Sequence, residues 1–432
     1  MDEALREWIE GITGGRIVDA RRPPGGGSRE LYLVDVERPD GTVVPLVLRC
    51  EAGGSFTGTE ISPAKEAVVY RALEPTAVPV PRVIGMAPGD AALLMERVPG
   101  TSDLASAGDA ARSAAMTSFV DALAALHNLD VDALPLPGFA RPATAEDHAR
   151  LDLAMWARLA DEGVLRLDPL VRFAGAWLHA HAPATVRRTV LVQGDTGPGN
   201  FVFEDGAVTG IVDWEFAHVG DPMDDLAWIL MRGLGGDPEP YLVRYREKSG
   251  IEVDERSVAY YAIAVQYRCA ITTTLAVSRG GGARGWAPYL MVTERYLQGT
   301  AAALSAYLGV DEPPVPLPAG VPTERTPWYD HLLEGIRAGV RGIDDEDLRE
   351  RTRNEQILVH YLRAYDRLGS DLRALERADL EATGIAPADP EALRAAAELG
   401  GETADETVLR LLLRRCQRRR MLWASLLDRP PR

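Results

Sequence analysis

The sequence of 432 residues predicts an α+β fold in which a small sheet near the start precedes a mainly helical remainder. Alternating apolar residues mark strands over residues 31–37 and 43–49, and a further apolar strand follows at 91–95. From residue 110 onwards, apolar residues recur mostly at the spacing of amphipathic helices. The proline-rich segment 312–318 then separates this body from a charge-rich helical appendage.

Composition and charge exclude several classes of function. The chain carries 64 acidic against 47 basic residues, which disfavours a nucleic-acid partner because phosphate binding needs a basic surface. This acidity fits either solubility alone or a cationic substrate. The absence of a long apolar run and of a signal-peptide pattern predicts no membrane partner. Three widely separated cysteines, Cys50, Cys269 and Cys416, make no metal pair and predict a reducing, cytoplasmic location.

The N-terminal elements begin with an amphipathic helix over residues 2–12. A Gly-rich turn at residues 25–28 precedes the two strands. Such a turn can lay backbone over nucleotide phosphates, but glycine triplets are also common in plain loops. The sequence contains no Walker motif, which argues against a P-loop kinase.

A strand and the helix after it provide the first candidate charge pair. Ser62 and Pro63 fit the N-cap and the first position of a helix that follows the strand ending near Arg49. Glu66 shares one face of this helix with apolar side chains, where a carboxylate needs a partner. Arg49 is the natural candidate. The alternatives are a solvated arginine at the strand end and an edge-exposed glutamate.

Helices are predicted over residues 110–129, 145–183, 260–274 and 288–308. His127, near the end of the first of these, is expected to pack or cap the helix and not to catalyse a reaction. The core candidates of the second helical region are Trp156, Leu159, Leu165 and Trp177.

The C-terminal appendage, from residue 323 to residue 432, is also predicted to be helical. Its last helix carries leucines at helical spacing and five arginines, Arg414, Arg415, Arg418, Arg419 and Arg420. The arginines are expected to form a solvated or inter-domain face, with binding of nucleotide or CoA phosphates as the alternative. The appendage shows no chemistry of its own, so we expect it to pack on the body or to mediate self-association into a homo-oligomer.

The clearest chemical pattern lies between residues 191 and 215. Asp195 and Asn200 have the Asp-x-x-x-x-Asn spacing of a phosphoryl-transfer catalytic loop, and Asp213 follows in the position of a metal-binding carboxylate. The residues between Asn200 and Asp213 read as two short strands around a turn, which predicts a β-hairpin. A hairpin returns the chain to its starting point, so Asn200 and Asp213 can meet at one Mg²⁺ ion. Asp195 then lies nearby to receive the proton of an attacking hydroxyl.

The continuation of this pattern carries a family resemblance. The segments Asp213-Trp-Glu, Gly220-Asp-Pro and Asp225-Leu-Ala-Trp follow in order. Over roughly residues 10–310 the chain resembles the aminoglycoside phosphotransferase (APH) superfamily of small-molecule kinases. The residues of these motifs are most similar to those of the branch that includes the phosphotransferase domains fused to some acyl-CoA dehydrogenases.

The resemblance implies a bilobal protein-kinase-like fold with an extra C-terminal helical domain. A small, sheet-rich N-lobe is expected over residues 1–98 and a mainly helical C-lobe with the catalytic loop over residues 99–312. The helical domain of unknown role then covers residues 313–432. ATP is expected to lie between the two lobes.

The resemblance also implies roles for individual residues. Asp195 is the catalytic residue, and Asn200 and Asp213 hold Mg²⁺. Arg49 takes the place of the lysine that pairs with the ATP phosphates, as it often does in this branch. An arginine can reach two phosphate oxygens at once, so the role can survive the exchange. Glu66 would form with Arg49 the strand–helix ion pair of kinase-like folds.

Further expectations concern the hinge and the support of the catalytic loop. Residues 96–100 are the expected inter-lobe hinge, where adenine binds the backbone at Glu96 and Val98. Asp225 is expected to accept hydrogen bonds from the catalytic-loop backbone. The family usually has a histidine two residues before the catalytic aspartate, where this chain has Gln193. An amide also donates and accepts hydrogen bonds, so we expect the loop to tolerate the change.

Polar residues just after the catalytic hairpin have no assigned role. Glu215 and His218 either line the site or have a structural role. Asp221 is expected to shape the Gly-Asp-Pro turn and not to bind metal.

Three functions remain in competition. The first is an ATP- and Mg²⁺-dependent phosphotransferase that moves the γ-phosphate to a hydroxyl of a small metabolite or antibiotic. The second is a hydroxyacyl-CoA kinase, suggested by the branch resemblance. The third is a nucleotide-binding pseudokinase or scaffold that acts through its C-terminal helices. Intact catalytic-loop residues speak against the third, whereas Gln193 and Arg49 leave it open. No portable motif identifies the phosphate acceptor.

Overall fold

The computed structural model describes residues 1–22, 30–51, 59–161, 167–233, 237–280, 285–311, 315–387 and 389–427. The predicted Gly-rich turn at 25–28, the core candidate Leu165 and residues 312–314 of the proline-rich segment lie outside the described residues. The chain divides into two compact units. The first comprises Met1–Asp152 and Pro183–Ala262, and the second comprises Leu153–Ala182 and Ile263–Arg432.

Strands concentrate in the first third of the chain and around the catalytic segment. The described strands are β1 (Arg16–Arg21), β2 (Glu30–Glu37), β3 (Val43–Cys50), β4 (Val83–Met86), β5 (Ala92–Glu96), β6 (Val190–Val192), β7 (Phe201–Glu204), β8 (Ala207–Ile211) and β9 (His218–Gly220). The described α-helices are α1 (Glu3–Thr13), α2 (Pro63–Leu73), α3 (Asp109–His127), α4 (Asp147–Asp161), α5 (Pro169–Ala180), α6 (Pro222–Arg232), α7 (Glu239–Ser249), α8 (Glu255–Ser278), α9 (Trp286–Leu308), α10 (Thr326–Val340), α11 (Glu346–Ala382), α12 (Pro390–Thr403) and α13 (Glu406–Leu427).

The first unit opens with a five-stranded antiparallel sheet in the order β1-β2-β3-β5-β4. Alternate residues of β2 and β3, among them Val34, Val36, Leu46 and Leu48, share one face and pack in a core with Ile9 of α1. The period-2 pattern therefore predicted this sheet because one of its faces is apolar. The edge strands β1 and β4 were not predicted.

Helix α2 begins as its sequence predicts. The side chain of Ser62 accepts a hydrogen bond from the backbone N–H of Lys65 at 3.3 Å, and Pro63 is the first helical residue. The helix buries Glu66 together with apolar neighbours such as Val69 and Leu73. The glutamate is therefore an inward-facing residue, and the edge-exposed alternative is wrong.

The β-hairpin predicted between Asn200 and Asp213 is confirmed. β7 and β8 are antiparallel, with Phe201 opposite Ile211 and Glu204 opposite Ala207. Asp205 and Gly206 form the turn with positive φ angles of 50° and 79°, the backbone that two-residue hairpin turns require. β6, which leads into the catalytic loop, pairs with β9, which follows the hairpin. The loop and the hairpin are therefore held at the same place by sheet pairing.

The described part of the second unit is helical. It contains α5 and α9 to α13, together with the C-terminal parts of α4 and α8. An apolar core joins Leu368 and Leu372 of α11 to Leu422 and Trp423 of α13. Helix α12 packs on α5 at close range, because a Cβ at Gly401 would lie 2.3 Å from the carbonyl oxygen of Phe173.

The arginines of α13 form ion pairs within the second unit. Arg415 and Arg419 both contact Asp168, the N-cap of α5, and Arg419 also reaches Glu294 of α9 at 3.0 Å. Arg418 pairs with Asp379 at 2.5 Å. Asp168 and Glu294 precede the proline-rich segment but lie in the same compact unit as α13, so these arginines face the rest of that unit. The guanidinium groups of Arg415, Arg418 and Arg419 are therefore already paired with carboxylates of the chain. The inter-domain interpretation stays a prediction.

The structure confirms the predicted α+β class, with a small antiparallel sheet near the N-terminus and a helical remainder. The lobe boundaries at residues 98 and 312 stay predictions, because a lobe is defined by its position around a nucleotide. None of the helices in the described ranges is long and apolar enough to cross a membrane.

Candidate active site

A buried carboxylate organises the catalytic loop. Asp225, in the first turn of α6, accepts hydrogen bonds from the backbone N–H groups of Gln193 at 2.9 Å and Gly194 at 3.0 Å. It also accepts from the hydroxyl of Thr196 and lies 3.0 Å from Nε2 of His127. Asp225 therefore fixes the start of the loop on α6. His127 is a buried supporting residue, as its packing prediction stated.

Gln193 joins the catalytic loop to the segment that carries the predicted metal ligand. Its Nε2 donates to the carbonyl oxygens of Val212 at 3.0 Å and Asp213 at 2.8 Å. Its Oε1 accepts from the backbone N–H of Asp195 at 2.8 Å and lies 3.1 Å from the hydroxyl oxygen of Thr196. The amide thus uses both its donor and its acceptor ends, the property on which the expected tolerance of glutamine in place of histidine rests.

The carboxylate of Asp195 is held from two sides. Oδ2 accepts a hydrogen bond from Nδ2 of Asn200 at 2.5 Å, and Oδ1 accepts from Nη2 of Arg232. Burial raises the pKa of Asp195 to about 6, with Arg232 lowering it and the nearby carboxylate of Asp213 raising it. The side chain keeps 16% of its surface exposed, so it remains accessible to a small molecule.

The hairpin brings the two predicted metal ligands to one end of a short ribbon. The backbone N–H of Val212 donates to the carbonyl oxygen of Asn200 at 2.9 Å, which closes the hairpin immediately before Asp213. Asp213 has a φ of 65°, a left-handed backbone that is uncommon outside glycine and is found enriched at functional sites. Asn200 and Asp213 are therefore neighbours through backbone pairing.

Arg49 lies at the centre of a buried charge cluster. Its Nε is 3.1 Å from Oε2 of Glu66, as the predicted strand–helix pair requires. Its Nη2 is 2.9 Å from Oδ1 of Asp213 and 3.5 Å from Oε2 of Glu215. The solvated-arginine alternative is therefore wrong. Three carboxylates surround one guanidinium, and they raise the pKa of Arg49 well above its usual value although burial opposes this.

Backbone and hydroxyl groups complete this cluster. Oε1 of Glu66 accepts from the hydroxyl of Tyr70 at 3.0 Å and from the backbone N–H of Trp214 at 3.3 Å. The backbone N–H of Asp213 donates to the same tyrosine oxygen at 3.3 Å. Glu66 therefore contacts both Arg49 and the segment that follows the hairpin.

The predicted hinge packs on the catalytic hairpin. The backbone N–H of Glu96 donates to the carbonyl oxygen of Arg82 at 2.9 Å. Beyond it, Thr101 and Phe203 exchange two backbone hydrogen bonds of 3.0 Å each. A Cβ at Gly210 would lie 3.0 Å from Cγ2 of Val98, so this part of β8 packs closely against the hinge.

Sequence reasoning missed Arg232 and did not assign Glu215 to the charge cluster. A signal for Arg232 existed, because it lies seven residues after Asp225 and four after Trp228, spacings that share one helix face. Its guanidinium lies 5.5 Å from the centre of the Trp228 ring. Asp221 is the N-cap of α6 and accepts from the backbone N–H of Met223 at 3.0 Å, which confirms its structural role.

Known proteins resemble the chain over the part that contains this site. A model of the phosphotransferase enzyme family (APH) matches residues 19–261. Acyl-CoA dehydrogenase family member 10 of Mus musculus is 26% identical over 282 residues, which are 60% of this chain and 25% of that protein. Acyl-CoA dehydrogenase family member 11 of Homo sapiens is 27% identical over 228 residues, which are 50% of this chain and 29% of that protein. The chain thus spans less than a third of the length of these relatives.

A solved structure shares the fold. The choline kinase LicA from Streptococcus pneumoniae is 16% identical, with a TM-score of 0.52 over 69% of this chain. The structure of LicA in complex with AMP gives a TM-score of 0.53 over 70% of this chain. The alignment covers 98% of the LicA chain in the first-named structure. This similarity establishes the kinase-like architecture that the sequence motifs predict.

Proposed function

The chain belongs to the phosphotransferase enzyme family, as its motifs predict, and from this membership we propose that it is an ATP- and Mg²⁺-dependent small-molecule kinase. In this proposal the γ-phosphate of ATP moves to a hydroxyl group of a small molecule. Asp195 orients that hydroxyl and accepts its proton. Asn200 and Asp213 hold the ion, and Arg49 steadies the phosphates.

The observation that carries the proposal is one continuous polar network around the proposed catalytic and metal-binding residues. Gln193 links the backbone of Asp195 to that of Asp213, and the amide of Asn200 contacts the carboxylate of Asp195. Such a network fixes the relative positions of a base and a metal-binding carboxylate. Phosphoryl transfer depends mainly on positioning and electrostatic stabilisation, so this rigidity supports a catalytic use.

The donor set fits Mg²⁺. Glu66, Asp213 and Glu215 all lie within 3.5 Å of the Arg49 guanidinium, so the surroundings of the proposed ion are rich in carboxylate oxygens, which Mg²⁺ prefers. Nδ2 of Asn200 is directed at Asp195, so its amide oxygen is the atom left for a cation. When bound, the ion would neutralise charge on the ATP phosphates.

The protein offers an incomplete set of ligands, as magnesium sites in kinases do. Within the residues that the structure describes, no three side chains of His, Cys, Asp or Glu form a metal-binding group. Mg²⁺ is commonly held by one or two protein ligands together with substrate phosphates and water. Asn200 and Asp213 suffice for a site of that kind.

In this proposal a charged side chain contacts the phosphates of the nucleotide, and backbone groups of the hinge contact its adenine. Arg49 contacts Asp213, so it lies beside the proposed ion, where phosphates would also be. The N–H of Glu96 already donates to Arg82, so any contact of Glu96 with adenine would use its carbonyl oxygen. Val98 would then contribute its backbone N–H.

A hydroxyacyl-CoA kinase is the second candidate. It is favoured by the similarity to acyl-CoA dehydrogenase family members 10 and 11, of which this chain covers only 25% and 29%. The acyl-CoA of those names belongs to those proteins, and its extension to this chain is a hypothesis. A pseudokinase is the third candidate, and the intact network around Asp195 speaks against it.

A product screen tests the proposal. The full chain is incubated with Mg²⁺-ATP and a panel of hydroxylated metabolites, antibiotics and hydroxyacyl-CoA thioesters. ADP formation and an added phosphate on one compound, detected by mass, are the expected results. Inhibition by free CoA would favour the second candidate. ATP binding without a product across the whole panel would favour a pseudokinase.

The role of Asp195 has its own test. Asp195→Ala should retain ATP binding and lose roughly 10²–10⁴ in turnover, the scale of positioned acid–base help. Asp121→Ala is the matched control, because Asp121 lies in an ion pair with Arg244 that is about a third exposed. Turnover in Asp195→Ala equal to that of the control would reject the role.

A further inference from the structure

The positively charged side chain that contacts Asp195 lies outside the catalytic loop. The four residues between Asp195 and Asn200 include no basic side chain. The cation that contacts Asp195 is Arg232, the last residue of α6. Arg232 and Asn200 each contact a different oxygen of the carboxylate, so the two together define its orientation.

Arg232 is itself held in place by the loop. Its Nη1 donates to the carbonyl oxygen of Pro198 at 2.8 Å, while its Nη2 donates to Asp195. Its guanidinium carbon lies 5.5 Å from the centre of the Trp228 ring, within the range of a cation–π contact. The planar fork thus binds the loop backbone and the carboxylate at the same time, which an ammonium group cannot reproduce.

Gly197 leaves space that Arg232 occupies, and Gly199 lies in contact with the same side chain. A Cβ at Gly197 would lie 2.9 Å from Cδ of Arg232, and the φ of Gly197 is +132°. A Cβ at Gly199 would lie 3.6 Å from Nη1, and its φ is +99°. The loop therefore wraps around the arginine in a conformation that its glycine residues permit.

We propose that Arg232 is a positioning residue for phosphoryl transfer, which holds the carboxylate of Asp195 in the orientation that receives the acceptor hydroxyl. This inference rests on the proposed function. The side chains of Arg232 and Asp195 are 23% and 16% exposed, so the pair is buried enough to be ordered and open enough to meet a substrate. Arg232 acts through Asp195, and its loss should matter only while that carboxylate is present.

A stability cycle tests the contact without any substrate. Arg232→Met leaves the largely buried carboxylate of Asp195 without its cation and should lower the melting temperature of the full chain. Adding Asp195→Asn should restore most of that loss, because no charge then needs the arginine. The matched control is Arg244→Met, which removes the same group from a more exposed pair with Asp121. Additive melting shifts in the Arg232 and Asp195 variants would overturn the proposal.

A kinetic cycle tests the use of the contact. The probe is Mg²⁺-ATP with water as the acceptor, followed as phosphate release. Arg232→Met should lower kcat roughly 10–100-fold, the scale of a misplaced reacting group, and leave KM for ATP nearly unchanged. Arg232→Lys should recover part of kcat. In an Asp195→Asn background, Arg232→Met should have no further effect.

The outcomes separate this inference from the proposed function. An equal loss of kcat in both Asp195 backgrounds, or a loss confined to KM, would show a structural role and reject positioning. The stability effects of the Arg232 and Asp195 variants could be coupled although the wild-type protein neither binds nor hydrolyses ATP. That result would reject the proposed function and, with it, the catalytic use of the pair. If wild type binds ATP but the effects of the Arg232 and Asp195 variants are additive, the positioning role of Arg232 is rejected and the proposed function is not.

Discussion

Replacement of Arg49 by methionine tests the buried charge cluster most directly. Methionine keeps an unbranched apolar stem and removes the guanidinium that Glu66, Asp213 and Glu215 share. Three carboxylates would then lie close together without that cation. We expect a large loss of stability, because the low-dielectric surroundings strengthen their mutual repulsion.

The magnitude follows from the contacts that remain. Removing one partner of a buried ion pair costs about 3–5 kcal/mol. Glu66 would keep the hydrogen bonds from Tyr70 and Trp214, so we expect a value near the lower end. At about 2–4 °C per kcal/mol for a domain of some 150–250 residues, the melting temperature should fall by roughly 6–12 °C.

The assay is thermal unfolding of the full chain with and without MgCl₂. Mg²⁺ should recover more stability in Arg49→Met than in wild type, because a divalent cation can replace the lost positive charge. Arg244→Met is the control, since its partner Asp121 is only about two-thirds buried and such pairs contribute about 0–1 kcal/mol. An unchanged melting temperature in Arg49→Met would refute the reasoning on the cluster. An equal response of both proteins to MgCl₂ would refute the cation's place in it.

Two further predictions concern the support of the site and the second unit. Gln193→Leu should destabilise the chain by about 1–2 kcal/mol in urea unfolding, because the partly buried carbonyls of Val212 and Asp213 lose their donor. Gln193→His, which keeps a donor and an acceptor, should destabilise the chain less. Equal stability of the Leu variant and wild type would contradict the role of Gln193 in joining the two segments. Arg415 and Arg419 lower the pKa of Asp168 to about 2 despite its burial, below the value of about 3.9 expected for an unfolded aspartate. Ionised Asp168 therefore contributes stability above about pH 4, and this stability is lost as the pH falls towards 2. Asp168→Asn, which preserves the N-cap, should be less stable than wild type by about 2–3 kcal/mol at pH 7. This difference in the free energy of unfolding should shrink as urea unfolding is repeated at lower pH. A difference that stays constant with pH would point to the cap or to packing instead.

The local chemistry of the site was predictable because its signals lie close together along the chain. Asp195, Asn200 and Asp213 occupy one loop and one hairpin, and the turn at Asp205 and Gly206 has the residues that such a turn requires. Strands β2 and β3 were also predictable, because alternation of apolar residues indicates which face is buried, and β5 was predictable as a short apolar run.

The partners of the charged groups were decided by tertiary structure. Arg49 reaches Asp213 across 164 positions, and Arg415 reaches Asp168 across 247. Arg232 contacts Asp195 from the last residue of α6, 37 positions further along the chain. Periodicity shows which way a side chain faces, but its partner depends on how distant elements pack. The sequence alone therefore determined the loop, the hairpin and the family, whereas packing determined which cation neutralises each carboxylate.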